Sequence, residues 1–209
     1  MNAQTERLEL VGPAGRIQML RDQPEGAPRG VAVLAHPHPL FGGTMDNKVV
    51  QTLARAFVQS GWTAVRFNFR GVGTSEGAYD TGRGETLDLH AVVQALAPEG
   101  PLALAGFSFG AFVTSQALQS LWTARDVRFV VLVGTAAANF AVPPVPQEAH
   151  ERTLVIHGEK DETVPLAAAL DWARPQSLPV TVVPGVEHFF HGQLPLLKNL
   201  VVRHLRTQA

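Results

Sequence analysis

No cysteine occurs anywhere in the 209 residues. That absence removes disulfides, thiolate metal sites and a thiol nucleophile from the chemistry open to the chain. An excess of either charge is missing too. Seventeen Lys and Arg stand against 18 Asp and Glu, a formal net charge of -1, so no basic surface points to nucleic acid. The most apolar stretch, Phe129 to Ala138, is far short of a membrane span. The first residues, Met1 to Arg7, are polar and lack the apolar core of a signal peptide, so the expected location is the cytoplasm. No internal repeat or low-complexity segment is visible. What remains is a globular balance, 45% hydrophobic and 17% charged, at a length that fits one domain over residues 1–209.

Within that frame one pentapeptide stands out: Gly106, Phe107, Ser108, Phe109, Gly110. It follows the apolar run Leu102 to Ala105 and opens a second, Ala111 to Val113. A strand that turns sharply into a helix through Gly-x-Ser-x-Gly is a nucleophile elbow. The turn holds its middle residue in a strained conformation, and glycines on either side relieve the crowding. The serine hydroxyl is then presented above the sheet. The unpaired amides of the following helix point towards it.

Around the elbow the chain alternates strands and helices. Arg7–Val11 and Arg16–Leu20 read as a hairpin across Gly12 to Gly15. Further strands are expected at Val31–Ala35, Thr63–Phe67, Arg128–Val133, Thr153–His157 and Pro179–Val183. Val49, Val50, Leu53, Ala54, Phe57 and Val58 share one helical face, ended by Gly61. Glu85–Ala97 reads as a helix with Leu87, Ala91, Val92, Ala95 and Leu96 facing inward. Helices are also expected at Ala111–Leu121, at Pro165–Trp172 and under the pattern Leu194, Leu197, Val201, Leu205. The order predicts an α/β plan, with a mostly parallel sheet and right-handed crossovers. Between Gly134 and Arg152 no helical pattern occurs, and Pro143, Pro144 and Pro146 disfavour one, so no cap domain is expected there.

A serine hydroxyl needs a base within hydrogen-bond reach, and a histidine base needs an acid to fix its tautomer. Past the strand ending at His157 lies a loop with Asp161 at its middle, flanked by Glu159 and Glu162 as competitors. Past the last strand lie His188 and His191. His188 comes first after the turn and before the helical pattern begins. His191 falls at the helix start, where capping or exposure is its ordinary role.

These segments resemble the α/β-hydrolase superfamily, over nearly the whole chain, and in particular its small lidless serine hydrolases. The stretch His157 to Pro165 resembles the family's acid loop, with Gly158 and Val164-Pro165 flanking Asp161. Pro184 to Phe190 resembles its histidine loop. Arg66 to Gly77 resembles the strand and turn one βα unit before the elbow. Ala35 to Thr44, with His36-Pro37-His38-Pro39, resembles the oxyanion loop in a form typical of predicted bacterial hydrolases related to dienelactone hydrolases. Dienelactone hydrolases proper use a cysteine nucleophile, which this chain lacks, so their substrate does not carry over. Asn68 stands where many relatives have Asp, at a position that is usually structural.

The resemblance implies an α/β-hydrolase fold with a mostly parallel eight-stranded sheet and no cap. It implies Ser108, Asp161 and His188 as nucleophile, acid and base. The oxyanion of acyl transfer needs preorganised N–H donors. Phe109, directly after the nucleophile, is expected to supply one. For the other, Pro37 and Pro39 have no N–H, which leaves His38, Leu40 and Phe41. Aligning His38-Pro39-Leu40 with the family's His-Gly-x pattern favours Leu40, and aligning His36-Pro37-His38 favours His38. Leu40 is preferred because it lies within the loop rather than at the strand end. His36 and His38 could share a metal, but a hydrogen-bonded role is the expectation. Arg70 is expected to hold a loop rather than substrate, and Gly71-x-Gly73 is no dinucleotide fingerprint.

The expected activity is hydrolysis of a carboxylic ester or thioester with no cofactor and no metal. The expected partner is a small acyl substrate, not nucleic acid or membrane, for a monomer or homodimer. Acyl transfer or perhydrolysis on the same triad, and a non-catalytic module on the same fold, are the rivals. With no cap, short acyl esters are expected to outrun long ones, without activation at a lipid interface.

Overall fold

The computed structural model describes residues 5–207. Its centre is one eight-stranded sheet in the order β1-β2-β4-β3-β5-β6-β7-β8. β1 (Glu6–Gly12) and β2 (Gly15–Asp22) form the expected hairpin, and β2 pairs antiparallel with β4 (Thr63–Phe67). All other neighbours are parallel: β3 (Val31–Ala35), β5 (Pro101–Phe107), β6 (Asp126–Val133), β7 (Thr153–Gly158) and β8 (Val180–Val183).

Parallel strands are buried on both faces, so their sequences read as near-continuous apolar runs split by alternation. In β3, Ala32 and Leu34 join one core, and Val33 and Ala35 the other. The first core is completed by α1 (Lys48–Gln59) and α5 (Leu194–Thr207), through Val50, Leu53 and Phe57 and through Leu197, Val201 and Leu205. The second is completed by α2 (Arg83–Leu96), α3 (Phe109–Ala124) and α4 (Leu166–Ala173).

One helical face departs from the sequence reading. Leu87 is 53% exposed and Ala95 is exposed, while α2 buries Glu85, Asp88, Leu89, Val92 and Val93. The helix is rotated because two carboxylates have work inside. Glu85 accepts the amides of Asp80 (2.8 Å) and Gly82 (2.7 Å). Asp88 accepts a two-pronged bond from the Arg70 guanidinium, Nε to Oδ2 at 3.0 Å and Nη2 to Oδ1 at 2.8 Å. Arg70 therefore ties the loop after β4 to α2. Asn68 is likewise structural: it accepts the Met45 amide (2.8 Å) and donates to Gln18 (2.8 Å).

Between β6 and β7 the chain makes a 3-10 turn at Gln147–Arg152 and no α-helix, so no cap helix folds over the carboxyl ends of the strands there.

Candidate active site

β5 ends at Phe107 and α3 begins at Phe109, which leaves Ser108 alone in the turn. Its backbone sits at φ 57° and ψ -117°, a strained region for a residue with a Cβ, at a cost of about 1–3 kcal/mol. The Ser108 amide donates to Val133 O at 2.8 Å and pins the turn to β6. The flanking glycines are steric necessities. A Cβ on Gly106 would lie 2.3 Å from Gly110 O, and one on Gly110 would lie 2.3 Å from Ala35 O. Both clashes are with backbone, which cannot swing aside. Gly106→Ala is therefore expected to lower stability by roughly 3 kcal/mol in urea unfolding and to remove activity with it. A variant as stable and active as the parent would contradict this packing of the elbow.

Two loops at the same edge of the sheet bring the partners. After β7, Asp161 folds its loop onto itself: Oδ1 accepts the amides of Thr163 (3.0 Å) and Val164 (2.7 Å). That leaves Oδ2 for a partner. After β8, the chain crosses close over the end of β7, where a Cβ on Gly158 would lie 2.4 Å from Val186 O. This crossing delivers His188. Its Nδ1 donates to Asp161 Oδ2 at 2.6 Å, and its Nε2 lies 3.0 Å from Ser108 Oγ. A carboxylate oxygen only accepts, so the proton sits on Nδ1 and Nε2 is left to accept from the serine hydroxyl. Ser108, Asp161 and His188 are 7%, 4% and 3% exposed.

The competing groups lie elsewhere. His191 is exposed and pairs through Nδ1 with Glu187 Oε1 at 2.8 Å. Glu159 accepts the Gly185 amide at 2.7 Å, and Glu162 is exposed.

A fourth side chain joins the group, which the sequence reading treated only as the end of a strand. His157 is fully buried, and its Nε2 donates to Val164 O at 2.8 Å. The same nitrogen lies 3.4 Å from Asp161 Oδ2. Val164 thus gives its amide to one oxygen of Asp161, while the ring that holds its carbonyl touches the other. Burial lowers the pKa of His157, which keeps it neutral with the proton on Nε2. A histidine four residues before the acid, at a strand end, was the available signal.

The loop after β3 treats the candidate donors differently. After Pro37 the chain makes a 3-10 turn, Pro39–Phe41. The Leu40 amide donates to His38 Nδ1 (3.2 Å), and the Phe41 amide to His38 O (3.1 Å). Both are spent within the turn, and the Leu40 side chain is 67% exposed. The His38 amide donates to no acceptor among the described residues. The Phe109 amide, at the first position of α3, has no preceding helical turn to accept from it. The turn thus engages the Leu40 N–H, the donor the loop alignment preferred, and leaves the His38 N–H available.

His36 has no lone pair to spare for a metal. Its Nδ1 bonds Pro37 O (2.6 Å), and its Nε2 accepts the Phe69 amide (3.0 Å). Burial lowers its pKa to about 4, so it stays neutral. Among the described residues no group of three or more His, Asp or Glu is placed to hold a metal, and no helix is long and apolar enough to cross a membrane.

Two hollows open at Ser108. The larger, about 420 Å³, also touches Phe109 and Phe140; the smaller, about 160 Å³, also touches His188 and Phe189.

Comparison with known proteins gives this geometry its context. A model of the serine aminopeptidase S33 family matches residues 26–152. An uncharacterised protein of Rickettsia prowazekii is 30% identical, over 94% of this chain and 87% of that one. An α/β serine hydrolase without lid from Xanthomonas campestris is 37% identical, with a TM-score of 0.86 over 99% of this chain and 96% of that one. An α/β serine hydrolase homologue from Coxiella burnetii is also 37% identical, with a TM-score of 0.83 over 96% and 97%. The match to the family model spans more than half the chain, and the likeness to the lidless Xanthomonas hydrolase covers 99% of it. This chain belongs to the serine aminopeptidase S33 family of the α/β-hydrolase superfamily, among its members without a lid.

Proposed function

We propose that the protein hydrolyses a carboxylic ester or thioester through an acyl-enzyme formed on Ser108. The observation that carries this reading is the unbroken relay from Ser108 Oγ through the His188 ring to Asp161 Oδ2, at 3.0 and 2.6 Å. Ser108 attacks the carbonyl carbon while His188 Nε2 takes its proton. Asp161 holds the ring in the required tautomer and stabilises its positive form. The amides of Phe109 and His38 meet the oxygen as it becomes negative. His188 returns the proton to the leaving group, then activates the water that releases the acid. Every proton transfer uses a group already present in this chain.

An ester or thioester suits the site better than the peptide the family's name suggests. An aminopeptidase must recognise a positively charged terminus, and neither hollow at Ser108 is lined by an Asp or Glu side chain. An unpaired ammonium there would be costly to desolvate. A relay with all three members in hydrogen-bond contact also argues against a non-catalytic module.

A series of p-nitrophenyl esters and acyl thioesters tests this reading. Turnover is expected to fall once a linear acyl chain outgrows the larger hollow, with no rise above the critical micelle concentration, because no lid stands over the site to be opened. Absence of turnover on every ester and thioester would refute the proposed reaction. A jump above that concentration would refute the open site.

His157 belongs to the reading as a positioning residue that holds Asp161 and its loop. His157→Phe keeps the ring shape and removes the donor. It is expected to cut kcat on the order of 10-fold to 100-fold with KM little changed. His157→Gln, whose amide reaches the same place, is expected to restore most of it. If the Phe variant keeps full kcat, or Gln does no better than Phe, the ring only fills space.

A further inference from the structure

We propose that the two hollows divide the substrate at Ser108, with an uncharged, ring-bearing acyl group in the larger and a small alcohol leaving from the smaller. This rests on the acyl-enzyme reading above. The direction follows from His188. The leaving oxygen must lie against the group that protonates it, and His188 lines the smaller hollow and not the larger. The acyl chain must then run the other way, past Phe109, into the larger one.

The two spaces differ in size and surface. The larger, at about 420 Å³, is more than twice the smaller, at about 160 Å³. The rings of His38 and Phe140 border the larger and are backed by the buried ring of Phe109. The centroids of His38 and Phe109 lie 4.9 Å apart, those of Phe109 and Phe140 5.2 Å, and those of His38 and Phe140 5.9 Å. Such a border offers tilted ring faces and edges at the spacing at which another aromatic ring packs well. Asn139 stands exposed beside it and could meet a hydroxyl on that ring. No Lys, Arg, Asp or Glu lines either hollow, so a charged acyl or alcohol group would lose water and gain no partner. On the small side Pro37, Gly43 and Phe189 border the space and leave little room beyond a short alkoxy group.

The chemistry balances with water alone. The bond from Ser108 Oγ to the acyl carbon forms as the bond from that carbon to the alkoxy oxygen breaks. The serine proton passes through His188 Nε2 to the departing alcohol. A water oxygen then bonds the acyl carbon, the bond to Oγ breaks, and the water proton returns through His188 to Ser108. One ester and one water give one acid and one alcohol.

Methyl hydrocinnamate and phenethyl acetate make the test. They are isomers, both release an alkyl alcohol, and they carry the ring on opposite sides of the ester. The wild-type protein is expected to favour methyl hydrocinnamate in kcat/KM by about 10-fold or more. Phe140→Ala is expected to lower that value more than it lowers the value for methyl acetate. Equal rates, a preference for phenethyl acetate, or a Phe140→Ala loss shared evenly by both methyl esters would overturn the division. So would failure to cleave either isomer by a protein whose Ser108 still takes up a fluorophosphonate, and the acyl-enzyme reading would then survive. Failure of both cleavage and uptake would remove that reading and this one together.

Discussion

Ser108→Ala is expected to lower kcat on acyl esters by roughly 10^4-fold to 10^6-fold while the fold is kept. The change removes one oxygen, which among the described residues hydrogen-bonds only the His188 ring. The Phe109 and His38 amides stay in place, so a small residual rate above that of water is expected. The backbone strain also stays, because alanine has a Cβ at the same positive φ of 57°. Ser108→Gly makes the contrast: it removes activity equally but relieves the strain. It is expected to melt at a higher temperature than the alanine variant, by roughly 1 kcal/mol of stability. A serine position that is costly to the fold and indispensable to turnover is what a nucleophile elbow requires. An alanine variant retaining a tenth or more of the activity would remove Ser108 from the reaction.

The second large effect separates two histidines three residues apart. His188→Ala is expected to cost on the order of 10^4-fold in kcat, because among the described residues Ser108 Oγ hydrogen-bonds only His188. It also leaves Asp161 Oδ2 buried with only the long contact to His157, at 3.4 Å. His191→Ala is expected to stay within about twofold of the parent, since an exposed pair such as His191 with Glu187 contributes little. Steady-state kinetics on one soluble ester decides between them. The reverse ranking would place the base at the start of α5.

These expectations were legible in the sequence to the extent that local chemistry determines them. The elbow reads from five residues because its sterics are local: Gly106 and Gly110 are needed by atoms within the turn and by β3 beside it. Asp161 and His188 read from their places after strands, because parallel strands send their carboxyl ends to one edge. The face of α2 did not read from its pattern. Leu87 is the apolar choice at its position, but the helix turns inward whatever bonds the Arg70 loop, and that partner lies in another part of the chain. The choice of a second oxyanion donor stayed open in the sequence for a related reason. Two prolines allow two alignments of the same loop, and only the turn over Pro39–Phe41 reveals that the Leu40 and Phe41 amides are already committed. His157 offered only its place four residues before Asp161, because a strand-end histidine gains its meaning from where the neighbouring loop folds back.

Covalent labelling joins geometry to reactivity without knowledge of the natural substrate. A fluorophosphonate reports on a serine only when a base beside it is working and an oxyanion site receives the charge. The protein is incubated with the reagent, digested and mapped by mass spectrometry, alongside Ser108→Ala and His188→Ala. The expected result is one adduct per chain, on Ser108, absent from the alanine variant at 108 and nearly absent from the one at 188. An adduct on another residue such as Ser75 or Ser115, or none in the wild-type protein, would contradict an acyl-enzyme on Ser108.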